Sequence, residues 1–396
     1  MSMNEQMKES ETSILHTYNR FPVVFEKGQG CYLYDSEGKE YLDFAAGIAV
    51  NSLGYHYPGY DEALKEQIDK LMHISNLYYN EPIIEAGAKL VKASTMSKAF
   101  FTNSGTEAIE GALKAAKKYV YVRDGHADHE IIAMNHSFHG RSIGALSVTG
   151  TAHYREPFEP LMGGVKFADF NDLESVKAQI TDKTCAIITE VVQGEGGIYP
   201  AKKEFLEGLR QICDEKDIML IFDEIQCGMG RTGHYFAWQA YGVQPDIMTS
   251  AKALGCGVPV GAFVLNEKAA KASLEPGDHG TTYGGNPFVC AAVSKVFDIY
   301  ENDKIIEHVQ EMTPYLEQKL DEIVAKHECA ATRRGMGFMQ GIVIQGRPVG
   351  EVVKAALAKG LLVISAGSDV LRIVPPLVIT KEHIDKMAAI LDECME

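Results

Sequence analysis

Short apolar runs alternate with helical stretches through the middle of this chain, and this alternation limits the folds open to it. Residues 218–222 are apolar throughout, and the stretch Lys203–Lys216 before them repeats apolar residues at helical spacing. Continuous apolar strands separated by helices are typical of a mostly parallel sheet that is covered on both faces. The strands predicted in this way lie at 100–101, 131–134, 186–188, 218–222, 246–248 and 262–265.

The pattern changes near residue 290, which indicates a second and smaller unit. Helical stretches at 288–300 and 305–326 are followed by a final helix that starts at His383, with short strands at 341–344, 361–364 and 371–374 between them. Near the amino terminus, residues 31–34 and 41–44 flank a turn and predict a β-hairpin. We therefore expect an α/β protein with an N-terminal segment (1–45) that joins the small domain, a large domain (46–290) and a small α+β domain (291–396).

Composition excludes several classes of protein. Apolar residues make up 46% of the 396 positions and charged residues 23%, as in ordinary globular proteins. The 54 acidic side chains outnumber the 38 basic ones, and the net charge of −16 would repel a nucleic-acid backbone. No uncharged run is long enough to cross a membrane, and residues 1–11 lack the apolar core of a signal peptide. We expect a protein that binds neither nucleic acid nor membrane.

The cysteines and histidines give no sign of a metal site. Eight cysteines are present, and no two have the C-x-x-C spacing of a zinc site or a redox pair. In a chain of this length they are expected to be buried thiols of a reduced, cytoplasmic enzyme. Four histidines without metal-ligand spacing are expected to be surface or core residues: His16, His73, His126 and His129.

The first candidate site is the turn Asn103-Ser104-Gly105-Thr106, between a predicted strand and the helical pattern at 107–122. A small turn that opens a helix presents free backbone N–H groups and the positive end of the helix dipole, which together suit a phosphate. The alternative is a plain N-cap, in which Ser104 or Thr106 only satisfies the first turn of the helix.

The second candidate is Asp223, which an apolar strand delivers to its carboxyl end, where α/β sheets bind ligands. The alternative is a solvated acid at the start of a loop. The following Gly228-x-Gly230-x-x-Gly233 matches the dinucleotide-binding pattern, but it lies late in the chain and no acidic residue closes a second strand at the expected distance. We therefore do not expect nicotinamide binding.

The third candidate is Lys252, which follows the predicted strand at 246–248 and has apolar and small neighbours. Such surroundings lower the pKa of a lysine enough for its amine to act as a nucleophile. A phosphate seat, an acid at a strand end and a nucleophilic lysine are together what pyridoxal phosphate requires. The three candidates therefore predict that cofactor.

Seven motifs in this order and spacing resemble those of the class III aminotransferases, from Tyr18 to the last helix. The resemblance implies the fold type I (aspartate aminotransferase-like) architecture of pyridoxal-phosphate enzymes. The motifs are Asn103-Ser104-Gly105-Thr106-Glu107-Ala108, Ser137-Phe138-His139-Gly140-Arg141, Gln193-Gly194-Glu195-Gly196-Gly197, Asp223-Glu224-Ile225-Gln226, Gly230-Arg231-Thr232-Gly233, Ala251-Lys252-Ala253-Leu254-Gly255 and Gly280-Thr281-Thr282-Tyr283-Gly284-Gly285-Asn286-Pro287.

The resemblance also implies roles for individual residues. Lys252 carries the cofactor and shuttles the proton, and Asp223 pairs with the pyridine nitrogen. Phe138 and Ile225 lie on opposite faces of the ring. Thr282 reaches the phosphate of the other subunit, so the resemblance implies a homodimer with shared active sites. The full set implied to bind cofactor is Ser104, Gly105, Thr106, Phe138, His139, Asp223, Ile225, Gln226, Lys252 and Thr282.

Two arginines suit the carboxylates of glutamate and 2-oxoglutarate, since a guanidinium grips a carboxylate through two hydrogen bonds. These are Arg141 and Arg372. For each, the alternative is a structural ion pair. In related enzymes a glutamate at the position of Glu195 masks the arginine while the amine donor is bound.

Within the family, Gly47 stands where ornithine aminotransferases place a tyrosine, which leaves room for an acyl group. With this glycine, the turn at 135–141 and the loop at 274–282, the chain resembles the acetylornithine aminotransferases of arginine biosynthesis. That resemblance implies that Arg141 and Thr281 contact the acylated substrate.

The chain also departs from the family pattern. Tyr55-His56-Tyr57-Pro58 replaces the usual Gly-His-x-His-Pro, and this change could reshape the substrate entrance. Other donors therefore stay open: succinylornithine, ornithine, 4-aminobutyrate and N-acetyl-lysine. A pyridoxal-phosphate aminomutase or decarboxylase, or a regulator that retains the cofactor without turnover, would be a different class of function.

Overall fold

The computed structural model describes residues 2–396, and a seven-stranded sheet forms its centre. The strands of this central sheet are, in spatial order, Lys98–Thr102, Gly261–Leu265, Ile247–Ser250, Met219–Asp223, Thr184–Glu190, Glu130–Met134 and Val165–Ala168. Gly261–Leu265 runs antiparallel to both of its neighbours, and the other adjacent pairs are parallel. The predicted α/β class with a mostly parallel sheet is confirmed. The edge strand Val165–Ala168 was not predicted.

The middle of the sheet is covered on both faces. Every residue of Thr184–Glu190 and of Met219–Asp223 is buried, which explains their continuous apolar sequence. The helix Gly105–Asp124 packs so closely on one face that a Cβ at Gly111 would lie 2.2 Å from the Phe263 ring. The other helices of this part are Ala46–Ala49, Tyr60–Lys70, Glu81–Ser94, Ile143–Ser147, Ala152–Arg155, Leu173–Gln179, Lys203–Lys216 and Glu267–Ala272, with 3₁₀ turns at Glu156–Phe158, Ala237–Ala240 and Lys252–Leu254 and a two-stranded ribbon of Val192–Gln193 and Tyr199–Pro200.

A second, antiparallel sheet lies in the C-terminal part. Its strands are, in order, Ala330–Met336, Met339–Ile344, Val370–Ile373 and Ile364–Ala366. The predicted strand at 361–364 is in fact two short strands in different sheets, Leu361–Leu362 and Ile364–Ala366. The helices here are Pro287–Asn302, Ile305–Lys326, Val349–Ala358 and Lys381–Met395. Residue 290 lies inside the first of these helices, which packs against Tyr60–Lys70 and Glu81–Ser94.

The N-terminal segment pairs with the C-terminal part. Tyr32–Asp35 and Glu40–Asp43 form the predicted antiparallel hairpin, and Phe25–Gln29 extends it by one strand. Leu42 lies opposite Leu361 in a parallel pairing that completes this four-stranded sheet. A short helix at Met3–Ser13, which has no buried residue, precedes these strands. Across residues 2–396, no helix combines the length and the apolar character that a bilayer span requires.

The parallel strands end together at one edge of the central sheet, and this edge positions the site. Asp223 and Glu190 are the last residues of neighbouring strands and are register partners. Lys252 begins a 3₁₀ turn two residues after the next strand ends at Ser250. Ligands of open α/β sheets bind at the carboxyl ends of the strands, so these side chains mark the candidate site.

Candidate active site

One cavity of about 470 Å³ lies at this edge and collects most of the residues predicted from the sequence. It contains all three independent candidates: the helix start at Ser104, the strand-end Asp223, and Lys252. We call it the main cavity. Its lining residues are Val50, Asn103, Ser104, Gly105, Thr106, Phe138, His139, Gly140, Arg141, Glu190, Val192, Asp223, Ile225, Gln226, Cys227, Ala251, Lys252, Gly257, Val258, Pro259 and Val260.

Asp223 is buried, and three donors fix its carboxylate. His139 Nδ1 lies 2.7 Å from Oδ2, while the Ile225 amide and the Thr249 hydroxyl donate to Oδ1 at 3.0 and 3.2 Å. The donors come from three separate elements, so the carboxylate has one orientation. The alternative of a solvated acid at a loop start does not apply, because only 4% of Asp223 is exposed.

Lys252 adopts a left-handed backbone conformation, with φ of 47°, directly after a non-helical Ala251. This conformation is costly for a side chain with a Cβ and is found where a functional group must be aimed. Burial lowers the pKa of the Lys252 ammonium, against the opposing charges of Asp223 and Glu195. A larger fraction of the amine is therefore neutral and able to act as a nucleophile or base.

The helix Gly105–Asp124 begins at the cavity wall. Ser104 is its N-cap, and its hydroxyl accepts the Glu107 amide at 3.3 Å, so the plain-cap interpretation is correct for this side chain. The amides of Gly105 and Thr106 have no acceptor inside the helix, and both residues line the main cavity. The Thr106 hydroxyl lies 2.7 Å from that of Ser142. Capping and anion binding can therefore coexist at this helix start.

These residues fit pyridoxal phosphate. A Cβ at Gly105 would lie 2.9 Å from Ile225 Cδ1, so the absence of a side chain lets the helix start approach the turn that follows Asp223. The helix dipole and the free amides make a seat for a phosphate, Asp223 supplies a buried carboxylate, and Lys252 supplies an amine. The donor set is the one that the sequence predicted for this cofactor.

Arg141 lies at the exposed side of the cavity and packs over two aromatic rings. Its guanidinium carbon is 5.4 Å from the Phe138 ring centre and 4.1 Å from that of Tyr154. We find no ion pair for Arg141 within residues 2–396, so the alternative of a structural ion pair does not apply to it. The stacked guanidinium is held in place while its donors stay available to a carboxylate.

Arg372 is buried and paired with Glu195. Nη1 donates to Glu195 Oε1 at 2.5 Å and Nη2 to Oε2 at 3.3 Å, and Nη1 also donates to Gln226 Oε1 at 3.0 Å. Burial favours the neutral form of Glu195, but the charge and hydrogen bonds of Arg372 outweigh it and hold the pKa of Glu195 below its ordinary value. Neither Glu195 nor Arg372 lines the main cavity. Gln226 does line it, and its hydrogen bond from Arg372 connects the cavity to the pair.

The structure does not bring Thr281 and Thr282 into the main cavity. The Thr281 hydroxyl accepts the side-chain amide of Asn103 at 3.2 Å and so lies just behind the cavity wall. Thr282 is exposed. Residues 55–58, where the sequence departs from the family, do not line the main cavity either. Instead, the Tyr55 hydroxyl donates to Asp43 at 2.8 Å and accepts from Asn51 at 3.2 Å.

Sequence reasoning missed Glu190, which lines the main cavity and is buried. Its carboxylate accepts the amides of Phe138 at 3.3 Å and Gly194 at 3.1 Å, so it joins the Phe138 turn to the loop that carries Glu195. Burial raises the pKa of Glu190 to about 7. The strand-end argument that identified Asp223 applies equally to Glu190 and would have found it.

Three possible metal ligands cluster outside this cavity, although their sequence spacing did not suggest it. The ligand atoms of Asp124, His126 and His129 lie within 4.8 Å of one another. Arg123 already binds both oxygens of Asp124, at 2.5 and 2.8 Å. The carboxylate is therefore engaged by a guanidinium.

Comparison with known proteins agrees with this geometry. The family model for aminotransferase class-III matches residues 14–395. An acetylornithine aminotransferase from Clostridium acetobutylicum is 47% identical, over 98% of this chain and all of that protein. A succinylornithine transaminase from Yersinia pseudotuberculosis is 44% identical, over 94% of this chain and 92% of that protein.

Solved structures agree as well. The ornithine aminotransferase from Toxoplasma gondii, in a structure reported with partial occupancy of PLP at its active site, superposes with a TM-score of 0.95 at 28% identity, covering all of this chain and 94% of that one. The match to the family model spans nearly the whole sequence and includes every motif described above. The chain belongs to the class III aminotransferases, enzymes that use pyridoxal phosphate.

Proposed function

We propose that the enzyme transfers the terminal amino group of N2-acetyl-L-ornithine to 2-oxoglutarate, giving N-acetyl-L-glutamate 5-semialdehyde and L-glutamate, in arginine biosynthesis. The observation that carries this proposal is the 47% identity to an acetylornithine aminotransferase over the full length of that protein. The free guanidinium of Arg141 at the open side of the cavity supports it, because the donor has a carboxylate.

Four residues of the chain would make the main contacts to the cofactor. Asp223 would pair with the pyridine nitrogen, Lys252 would carry the cofactor covalently, and the amides of Gly105 and Thr106 would bind its phosphate. Bound pyridoxal phosphate supplies an electron sink that stabilises negative charge at the substrate carbon. The remaining implied contacts are those of Ser104, Phe138, His139, Ile225, Gln226 and Thr282.

Lys252 Nζ is the proposed proton carrier. Its lowered pKa leaves part of the amine neutral, so Nζ can accept a proton from the substrate carbon and return it at the neighbouring position. Asp223 and Glu195 lie close enough for their charges to oppose this lowering, and they stabilise Nζ while it holds the proton.

Glu195 and Arg372 are the proposed substrate switch. While the pair is closed, the guanidinium charge is neutralised and the main cavity accepts a donor without a carboxylate at that end. When Glu195 moves away, Arg372 is free to grip a carboxylate of the keto acid through two hydrogen bonds. One cavity can then serve two substrates of different charge.

We also propose a homodimer in which Thr282 completes the partner's phosphate site. Thr282 is exposed, and the adjacent Tyr283 is 62% exposed. Three further apolar side chains are exposed in a row at Leu77, Tyr78 and Tyr79, at 88%, 65% and 95%. Surfaces of this kind mark protein interfaces. Sedimentation of the holoenzyme tests the dimer, and restored activity in a mixture of Thr282→Arg and Lys252→Ala subunits tests the sharing of sites.

Two further expectations stay proposals. We propose that the parts 1–45, 46–290 and 291–396 are the structural domains, with the first joined to the third through the Leu42–Leu361 pairing. We propose a reducing, cytoplasmic location, because all eight cysteines are free thiols.

A donor panel tests the substrate. Purified holoenzyme is given N-acetylornithine, N-succinylornithine, ornithine, 4-aminobutyrate or N-acetyl-lysine with 2-oxoglutarate, and glutamate formation is measured. The proposal predicts the highest kcat/KM for N-acetylornithine. Preference for N-succinylornithine, the second candidate because of the 44% identical relative, would overturn it. Glutamate alone should convert the bound cofactor to its amine form if the enzyme is a transaminase. A decarboxylase or an aminomutase would not show this conversion.

A further inference from the structure

A second cavity, of about 980 Å³, lies between residues 19–23 of the N-terminal segment and the helix Val349–Ala358. Its lining includes four basic residues, Arg20, Lys39, Lys354 and Arg372, and no acidic residue. The chain as a whole carries a net charge of −16, so the charge of this cavity lining is opposite to that of the protein. Such a lining concentrates anions.

Arg372 belongs to this second cavity and also bonds to the main-cavity residue Gln226. Its two Nη groups are engaged by Glu195, by Gln226 and by the Ser365 carbonyl at 3.1 Å. Its Nε–H is buried, and within residues 2–396 it has no hydrogen-bond partner. A buried donor without an acceptor is costly, more so on a charged group, and an incoming carboxylate would satisfy it.

The other cations differ in how far they are already engaged. Lys39 Nζ donates to the Ala358 carbonyl at 2.8 Å, and Arg20 lies 3.6 Å from Glu11, which is outside the cavity lining. Lys354 is exposed and forms no ion pair with any residue in 2–396. It is therefore the cation most available to a second negative group.

We propose that the second cavity docks the dicarboxylate keto acid on its way to the main cavity, with one carboxylate at Arg372 and the other near Lys354. The inference rests on the proposed function, in which the acceptor is 2-oxoglutarate. A carboxylate beside Nε competes with Glu195 for the same guanidinium, so docking favours opening of the Glu195–Arg372 pair. The amine donor carries one carboxylate and one ammonium group, so it has no second negative group to place near Lys354.

Rates of the separate half-reactions test the proposal. Stopped-flow absorbance of the bound cofactor gives the second-order rate constant for 2-oxoglutarate and, separately, for the amine donor. In Lys354→Gln we expect the constant for 2-oxoglutarate to fall about threefold to tenfold at an ionic strength of about 0.02 M, and the difference to shrink at about 0.3 M, where charges are screened. The constant for the donor should not change.

Lys203→Gln is the matched control, since Lys203 is an exposed lysine that does not line the cavity. Calorimetric titration of the holoenzyme with glutarate, which lacks the keto group, gives a second measurement, and Lys354→Gln should weaken this binding while Lys203→Gln should not. Equal losses in both half-reactions, or no loss in either measurement, would overturn docking. If the wild type itself failed to react with 2-oxoglutarate, the proposed function would be wrong instead.

Discussion

His139 Nδ1 lies 2.7 Å from Asp223 Oδ2, and both side chains are buried. Burial disfavours the imidazolium, but the hydrogen bond to Asp223 and its charge outweigh burial, so the pKa of His139 is raised. Asp223 therefore stabilises the charged form of His139. When the cofactor is bound, Asp223 would be the carboxylate that pairs with its protonated pyridine nitrogen, and His139 would hold that carboxylate in place.

Replacing Asp223 should therefore cost more than replacing its partner. Asp223→Asn keeps the shape but removes the charge, and we expect a loss in kcat of about 10²-fold or more, as for other buried electrostatic groups. His139→Gln keeps a hydrogen-bond donor and should cost about tenfold. Single-turnover rates of each half-reaction measure this, with thermal unfolding as the control for folding. If the Asp223→Asn variant were more active than the His139→Gln variant, the assignment of Asp223 as the partner of the pyridine nitrogen would be wrong.

Glu195→Ala should affect the two half-reactions differently. Without Glu195, Arg372 presents an uncompensated charge to the amine donor, and we expect the donor half-reaction to slow by about tenfold or more, a change of about 1.4 kcal/mol in the activation free energy. The half-reaction with 2-oxoglutarate no longer has to open the pair and should keep its rate or gain. Equal effects on both would refute the switch. Glu195→Gln, which keeps the size, separates charge from packing.

Glu190 should make stability depend on pH. Burial raises the pKa of Glu190 from the ordinary 4.5 to about 7. The charge of His139 opposes this rise and the charge of Asp223 adds to it, while the charge of Glu190 in turn acts on Lys252. The folded protein thus holds this proton more tightly than the unfolded chain. Its contribution is fully present below about pH 4.5 and is lost as pH rises through about 7, on the order of 3 kcal/mol.

Gln is neutral at every pH, so Glu190→Gln lacks this loss. We expect the thermal midpoint of the variant holoenzyme, relative to the wild type, to rise between pH 5 and pH 8. The exposed Glu204→Gln serves as the control and should follow the wild type. A constant difference across this range would show that Glu190 does not titrate there.

The sequence-based predictions were most accurate for helices that bury one apolar face. The helices Lys203–Lys216 and Ile305–Lys326 were expected with the bounds that the structure has, because their apolar residues repeat at helical spacing. The short strands Val192–Gln193 and Tyr199–Pro200 were missed, and so were three longer strands in which charged residues interrupt the apolar pattern: Phe25–Gln29, Val165–Ala168 and Ala330–Met336. These three longer strands all lie at sheet edges and have exposed or half-buried positions.

Only those site residues that are marked by a pattern in the nearby sequence could be predicted from the residues themselves. Strand ends gave Asp223 and Lys252, and the helix start gave Ser104. The proximity of Glu195 and Arg372, 177 positions apart, depends on how two sheets pack and was available only through resemblance to a family. Glu190 meets Asp223 through the register of neighbouring strands, which no short stretch of sequence specifies.

The most direct test of the account is the position at which the cofactor is attached. The holoenzyme is reduced with borohydride and digested, and the modified peptide is identified by mass spectrometry. We expect the label on Lys252 alone, and in Lys252→Ala we expect no label and a loss of turnover of at least about 10³-fold. A label on another lysine, or none on the wild type, would contradict the account.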